Sequence, residues 1–160
     1  MDFQTVPVKL PEDCNIIVGQ SHFIKTVEDI SEIVISSVPG AKFGIAFCEA
    51  SGPCLVRTEG NDTALITAAT ATAQAVAAGH TFYLFLKNAF PINMLTQIKL
   101  CQEVARIFCA TANPLQIITA GTEQGRGIIG VIDGASPKGI ETESDKKARY
   151  DLLRKFGYKY

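Results

Sequence analysis

The stretch "VGQSHFIKTVED", residues 18 to 29, passes from an apolar run into a helix start and sets one of only two histidines at the join. An imidazole there could be chemically modified, bind a ligand, or only fill space. Backbone N–H groups and the dipole at a helix start favour phosphate. Gly19, Gln20 and Ser21 would form the cradle, and Lys25, one turn on, would add positive charge. The competing reading is a capped helix with His22 packed beside it.

A second polar loop, "GTEQGRGIIG", holds Glu123, Gln124, Gly125, Arg126 and Gly127. Its formal GxGxxG match is not a dinucleotide fingerprint, because that motif must open a helix and "IIGVIDG" is strand-like. Nor is it a protein-kinase loop, since no HRD-type sequence follows. What remains is backbone amides and an arginine suited to bidentate phosphate binding, or else a plain hairpin with its arginine in solvent.

The third loop, "EGNDT", offers Asn61 and Asp62, and Asp62 is equally well explained as a helix cap. Glu49 and Asp133 each end an apolar strand, where carboxylates can hold Mg²⁺ beside phosphates; hydrogen bonding to turns is the alternative. His80 follows a glycine at a helix-to-strand join, which suits a structural histidine. No Walker A sequence occurs, which excludes an ordinary P-loop kinase. No histidine–cysteine pair has zinc spacing.

These loops need elements to hold them. Residues 3 to 10 read as extended and "CNIIV" as a buried strand. Thr26 is placed to cap a helix over 26–37, with Asp29 three residues on in a capping-box arrangement. "KFGIAFCEA" and "CLVRTEG" read as strands around a Ser51-Gly52-Pro53 turn, followed by an Ala-rich helix to about Ala78. The small face of that helix, Leu65, Ala68 and Ala75, predicts close packing against sheet backbone. "HTFYLFLK" is the next strand. Met94, Ile98, Cys101, Ala105 and Phe108 predict a helix from Pro91 to about Ala110. "LQIITAG" and "GIIGVIDG" follow as strands. This alternation predicts an α/β fold, a single-domain three-layer α/β/α sandwich with a mixed sheet, spanning 1–160. Residues 141–160, half of them charged, predict a peripheral helix that docks on its own domain or on a neighbouring subunit.

The chain has 160 residues, 47% apolar and 19% charged, enough for one folded domain with a real core. A net charge of -1, with no basic block interleaved with aromatics, gives no reason to expect nucleic acid. Residues 63 to 86 carry no charged side chain, but their Ala/Thr content and the Gly79-His80 break predict a buried helix and strand rather than a membrane span. Five cysteines without CxxC spacing predict reduced thiols, and the N-terminus lacks the order of a signal peptide; both suit a cytoplasmic protein.

Taken in order, "GQSHFIKTVEDI", "KFGIAFCEASG", "EGND", "AGH", "ATANP", "EQGRGIIGVIDG" and "DLLRKFGYK" resemble the archaeal and bacterial adenosine-specific kinase family over nearly the whole chain. The resemblance implies an α/β fold, adenine nucleotide (ATP or AMP) binding at subunit interfaces of a homotrimer, and a stably phosphorylated histidine. It assigns that histidine to His22, with His80 as fallback, and nucleotide contacts to the "EGND" and "EQGRG" segments. Gly121 departs from the pattern, where an acidic residue is expected. The implied chemistry is phosphoryl transfer from ATP through a phosphohistidine, with Lys25, Arg126 and Mg²⁺ neutralising charge. The alternative is a trimeric AMP/ATP sensor without catalysis.

Overall fold

The computed structural model describes Met1–Tyr160. In chain order its elements are β1 (Asp2–Val8), β2 (Asn15–Ser21), α1 (Thr26–Ser37), β3 (Lys42–Cys48), β4 (Val56–Gly60), α2 (Thr63–Val76) and β5 (Thr81–Lys87). A short 3₁₀ turn (Pro91–Asn93) leads to α3 (Leu95–Leu100), then β6 (Val104–Thr111), β7 (Leu115–Gly121), β8 (Arg126–Asp133) and α4 (Glu143–Lys155). The fold is α/β in a single domain, with two sheets: five strands in the order β4-β3-β5-β2-β6, and three in the order β1-β7-β8.

Every strand pairing is antiparallel, not mixed as the apolar runs suggested. The five-stranded sheet is covered on both faces, which explains the misleading pattern. An antiparallel sheet with one wet face alternates apolar and polar residues, whereas β5 is buried from Thr81 to Leu86. Phe82, Leu84 and Leu86 face a cluster built with Val27, Ile30 and Val34 of α1 and Met94 and Ile98 around α3. Tyr83 and Phe85 face the other cluster, which joins α2 to Leu115 and Ile117 of the second sheet. The second sheet thus shares a layer with α2, where a plain three-layer sandwich would carry only helices.

The Ala/Thr composition of α2 serves close approach. A Cβ on Gly44 of β3 would lie 2.2 Å from the Ile66 nitrogen and 2.3 Å from the Leu65 carbonyl carbon. Helix backbone therefore rests on sheet backbone, as the small face predicted. The buried face itself is Leu65, Ala69, Thr72, Ala73 and Val76, rotated from the expected one. Asp62 caps this helix, its Oδ1 accepting the Leu65 N–H at 3.1 Å.

Two other expectations are corrected. The helix predicted from Pro91 to Ala110 ends at Leu100, and 104–111 is strand β6. Met94 and Ile98 do form a helical stripe, but β6 is recruited by β2, with which it forms a bulged antiparallel ladder. A neighbouring strand edge overrides a weak local periodicity. Thr26 is buried and does not cap α1. Its hydroxyl donates to the Phe23 carbonyl at 2.6 Å, and Lys25 occupies the N-cap position without a side-chain cap bond. α4 has no buried residue, and Tyr150, Leu152 and Phe156 are exposed along it.

Candidate functional site

One end of the five-stranded sheet gathers chemistry from four adjacent strands. β3 exits into Glu49, β5 is entered through His80, β2 exits into His22, and β6 is entered through Glu103. Main-chain bonds fix this row. His80 N–H donates to the Cys48 carbonyl at 2.7 Å, Ser21 N–H to the His80 carbonyl at 2.9 Å, and His22 N–H to the Glu103 carbonyl at 3.0 Å. His22 is exposed, its ring stacked beside Phe23 at 6.5 Å. His80 is half-buried, stacked on Phe47 at 5.8 Å, and holds a left-handed φ of 61°. Left-handed backbone is strained for a non-glycine residue and is kept only where its surroundings fix it.

The expected cradle before His22 is differently built. Gly19, Gln20 and Ser21 are not a loop; they are the last residues of β2, paired with β5 and β6. Gly19 is required by packing, because a Cβ there would lie 2.3 Å from the Phe82 ring. The Ser21 hydroxyl is buried and bonds to that of Thr26 at 2.7 Å; since Thr26 donates to Phe23, Ser21 is the donor. Lys25 pairs with Asp29 and lies 3.7 Å from Glu103 Oε2. Its ammonium is pushed above its ordinary range by the hydrogen bond to Asp29, and the Asp29 carboxyl is held low by the same bond. Ser21 and Lys25 are thus both engaged within the chain.

Beside this end lies a cleft of about 730 Å³. Its walls are Cys48–Ala50, Cys54–Val56, the C-terminal turns of α2 (Ala73, Gln74, Ala77), the Ala78-Gly79 link, and the β7–β8 hairpin residues Ala120, Thr122 and Gln124–Gly127. Glu49 is anchored: Oε2 accepts the Leu55 N–H at 3.0 Å, and both oxygens take Arg57 Nη2 at 3.2 Å. The Leu55 amide and then Arg57 hold its carboxyl below the usual carboxylate range. Arg126 Nη1 donates to the Ala75 and Val76 carbonyls at 3.3 and 3.4 Å, capping the end of α2, where Ala77 turns left-handed. Its remaining N–H donors take no partner within the chain, leaving part of the guanidinium fork for an anion. The hairpin turn closes through Thr122 N–H to the Gly125 carbonyl at 2.9 Å. Glu123 lines an adjoining hollow with Met1, Asp2 and Gln4.

The fold therefore brings Glu49, Gln124, Gly125, Arg126 and Gly127 to one cleft, with His80 next to its Gly79 wall. His22 lies one strand further along the same sheet end. Asn61, Asp62 and Asp133 lie elsewhere. Asn61 ties the opposite end of β3, accepting from Phe43 N–H and donating to the Ala41 carbonyl, each at 2.9 Å. Asp133 accepts from Thr111 Oγ1 at 2.6 Å and Asn113 Nδ2 at 3.1 Å, at the far end of β6. Glu49 and Asp133, each expected as a strand-end carboxylate, thus stand at separate places within one chain. The wall residues Ala50, Cys54, Leu55, Gln74 and Thr122 are singled out by no motif in the sequence; only Gln74 sits on the helix whose small side chains signal a close-packed face.

A model of the adenosine specific kinase family matches residues 6–159. The chain belongs to that family. Among solved structures, the crystal structure of the PH1918 protein from Pyrococcus horikoshii OT3 is similar at a TM-score of 0.95 and 44% identity, covering 99% of this chain and 98% of that one. A comparison with curated proteins finds no match. Membership in that family points to adenosine-kinase-like function. No helix of this family member is long and apolar enough to cross a membrane.

Proposed function

We propose that the protein is an adenine-nucleotide-binding phosphotransferase that works through a phosphohistidine at His22. The observation that carries this reading is the placement, at one sheet end, of an exposed histidine one strand beyond a cleft that pairs an alanine-rich wall with an arginine and hairpin amides. Flat small-residue walls suit a purine ring, and the free donors of Arg126 with the Gln124–Gly127 backbone suit phosphate oxygens.

In the proposed reaction a lone pair of the neutral His22 imidazole attacks the γ-phosphorus of ATP. The P–N bond forms as the bridging β–γ P–O bond breaks, ADP leaves with that electron pair, and the ring proton stays on the other nitrogen. The 5′-hydroxyl of adenosine then attacks the phosphoramidate, the P–N bond breaks, and the hydroxyl proton passes to solvent. Positioning and charge neutralisation supply most of such catalysis. Arg126 does this from the cleft; Lys25 does so only after leaving Asp29. Mg²⁺ would arrive on the triphosphate, with Glu49 the nearest strand-end carboxylate. The reading includes a homotrimer in which the exposed apolar face of α4 packs on a neighbour, and in which Asn61 and Asp62 of another subunit reach the nucleotide.

A second reading keeps the cleft and drops the chemistry: a nucleotide sensor in which His22 only contacts phosphate. The engagement of Ser21 and Lys25 inside the chain favours it. Both readings need the cleft. Calorimetry with ATP and adenosine on the wild type and on Ala50→Trp tests it, because Ala50 is an exposed wall residue. Both ligands should bind the wild type and be weakened together in the variant; unchanged binding in the variant places the ligand elsewhere.

A further inference from the structure

Glu103 is the one buried carboxylate whose chemistry the cleft does not use. It is 1% exposed, yet neither of its oxygens accepts a hydrogen bond. Leaving a buried carboxylate without donors is costly, and proteins meet that cost with a paired charge or a metal. The only cation near it is Lys25 at 3.7 Å, and that ammonium is already shared with Asp29. Two carboxylates therefore face one positive charge.

Three elements aim ligand atoms at this spot. Asp29 comes from the first turn of α1, Cys101 from the C-terminal cap of α3, and Glu103 from the entry to β6. A carboxylate oxygen of each acid and the Cys101 sulfur all lie within 4.8 Å of one another. A hollow of about 450 Å³ between α1 and α3, lined in part by Asp29, Gln97 and Cys101, opens the cluster to solvent.

We propose that Asp29, Cys101 and Glu103 form a binding site for a divalent cation of borderline softness, of the Zn²⁺ class, in which the ion displaces the Lys25 ammonium. The donor set decides the class. Mg²⁺ and Ca²⁺ select oxygen ligands, whereas a thiolate with two carboxylates suits a borderline ion. Small side-chain rotations bring the three atoms to the roughly 2.0–2.3 Å that zinc requires, with water in the fourth position. On binding, Cys101 releases its proton to solvent. Two carboxylates and a thiolate then balance the ion and the nearby Lys25, which is one-third exposed and swings outward on its flexible stem. This site is distinct from the Glu49 cleft and does not depend on nucleotide binding.

The test uses Co²⁺ as the probe on the chelator-stripped full-length chain, followed by absorption spectroscopy. One ion per chain should give visible ligand-field bands and a near-ultraviolet thiolate charge-transfer band. Cys101→Ser should remove the charge-transfer band, while Cys54→Ser, which changes the exposed competing thiol, should leave it. Glu103→Gln keeps the shape and sheds a buried charge, and it should weaken Co²⁺ by at least the roughly 10–100-fold that loss of even an outer-sphere partner costs. Asp29→Asn, at a half-exposed position, should do the same if the Gln variant does not fold. Lys25→Met should tighten binding, because the competing cation is gone. No bands at millimolar Co²⁺, bands that follow Cys54 rather than Cys101, or an affinity indifferent to Glu103, Asp29 and Lys25 would each overturn the proposal.

Discussion

The main-chain N–H of Ser21 donates to the carbonyl of His80 at 2.9 Å, so the strand that delivers His22 is tied to the residue that opens the next strand. The two histidines of the chain, 58 positions apart in sequence, are thereby held on neighbouring strands of one sheet end. Hydrogen bonding, rather than any local motif, makes them a pair.

Arg126 has two tasks in this account, and its replacement should separate them. Arg126→Ala should weaken triphosphate binding more than adenosine binding in calorimetry, since only the triphosphate uses the guanidinium. It should also cost about 0.3–1 kcal/mol in urea unfolding, because the Ala75 and Val76 carbonyls lose their cationic cap. Equal loss for both ligands would contradict the phosphate role.

The contact of α2 with the sheet predicts an asymmetry between glycines. Gly44→Ala drives a methyl into the backbone of Leu65 and Ile66, which cannot move cheaply, and should cost about 1–3 kcal/mol. Gly40→Ala meets nothing within 4 Å and should change stability little. Thermal unfolding measures both, at roughly 2–4 °C per kcal/mol for a chain of this size.

How much of this was legible beforehand follows from the range of the forces. Helix 26–37, the Asp62 cap and the two hairpins were legible because each depends on neighbours in sequence, and the tight α2 contact because small side chains on one helix face allow only close approach. The strand character of 104–111 was not, because it is imposed by the edge of β2. The antiparallel sheet was misread because burial on both faces erases alternation. At the site, the Gln124–Gly127 hairpin and Glu49 were identified and do converge, whereas the loop role of Gly19–Ser21 was lost to the β2 ladders. The Glu103 cluster left no sequence signal, since its three members come from three elements.

Burial pushes the Cys109 thiol up to about 11 from an ordinary 9.0, with Asp133 adding to the rise. The folded chain therefore keeps a proton that the unfolded chain loses first. Between about pH 9 and 11 the folded state binds more protons, so stability must fall as pH rises through that window. Chemical denaturation at stepped pH checks the sign. Thiol labelling at pH 8 followed by peptide mass analysis should modify exposed Cys54 well before Cys109.

Removing residues 141–160 tests the arm formed by α4. None of its helical residues is buried, so the remaining domain should unfold at nearly the same temperature. If α4 packs on a neighbour as in the proposed trimer, assembly should be disturbed in light scattering, because that face is carried by the exposed Tyr150, Leu152 and Phe156. An oligomeric state unchanged by the truncation would contradict the arm role.

The most direct measurement is the intact mass of the protein after incubation with ATP and Mg²⁺. The account predicts a gain of one phosphoryl group that is labile to acid, present in His80→Ala and absent in His22→Ala. A wild-type chain that binds ATP by calorimetry yet never gains that mass would contradict the phosphohistidine and leave the sensor. A gain that survives in His22→Ala and vanishes in His80→Ala would contradict the assignment to His22.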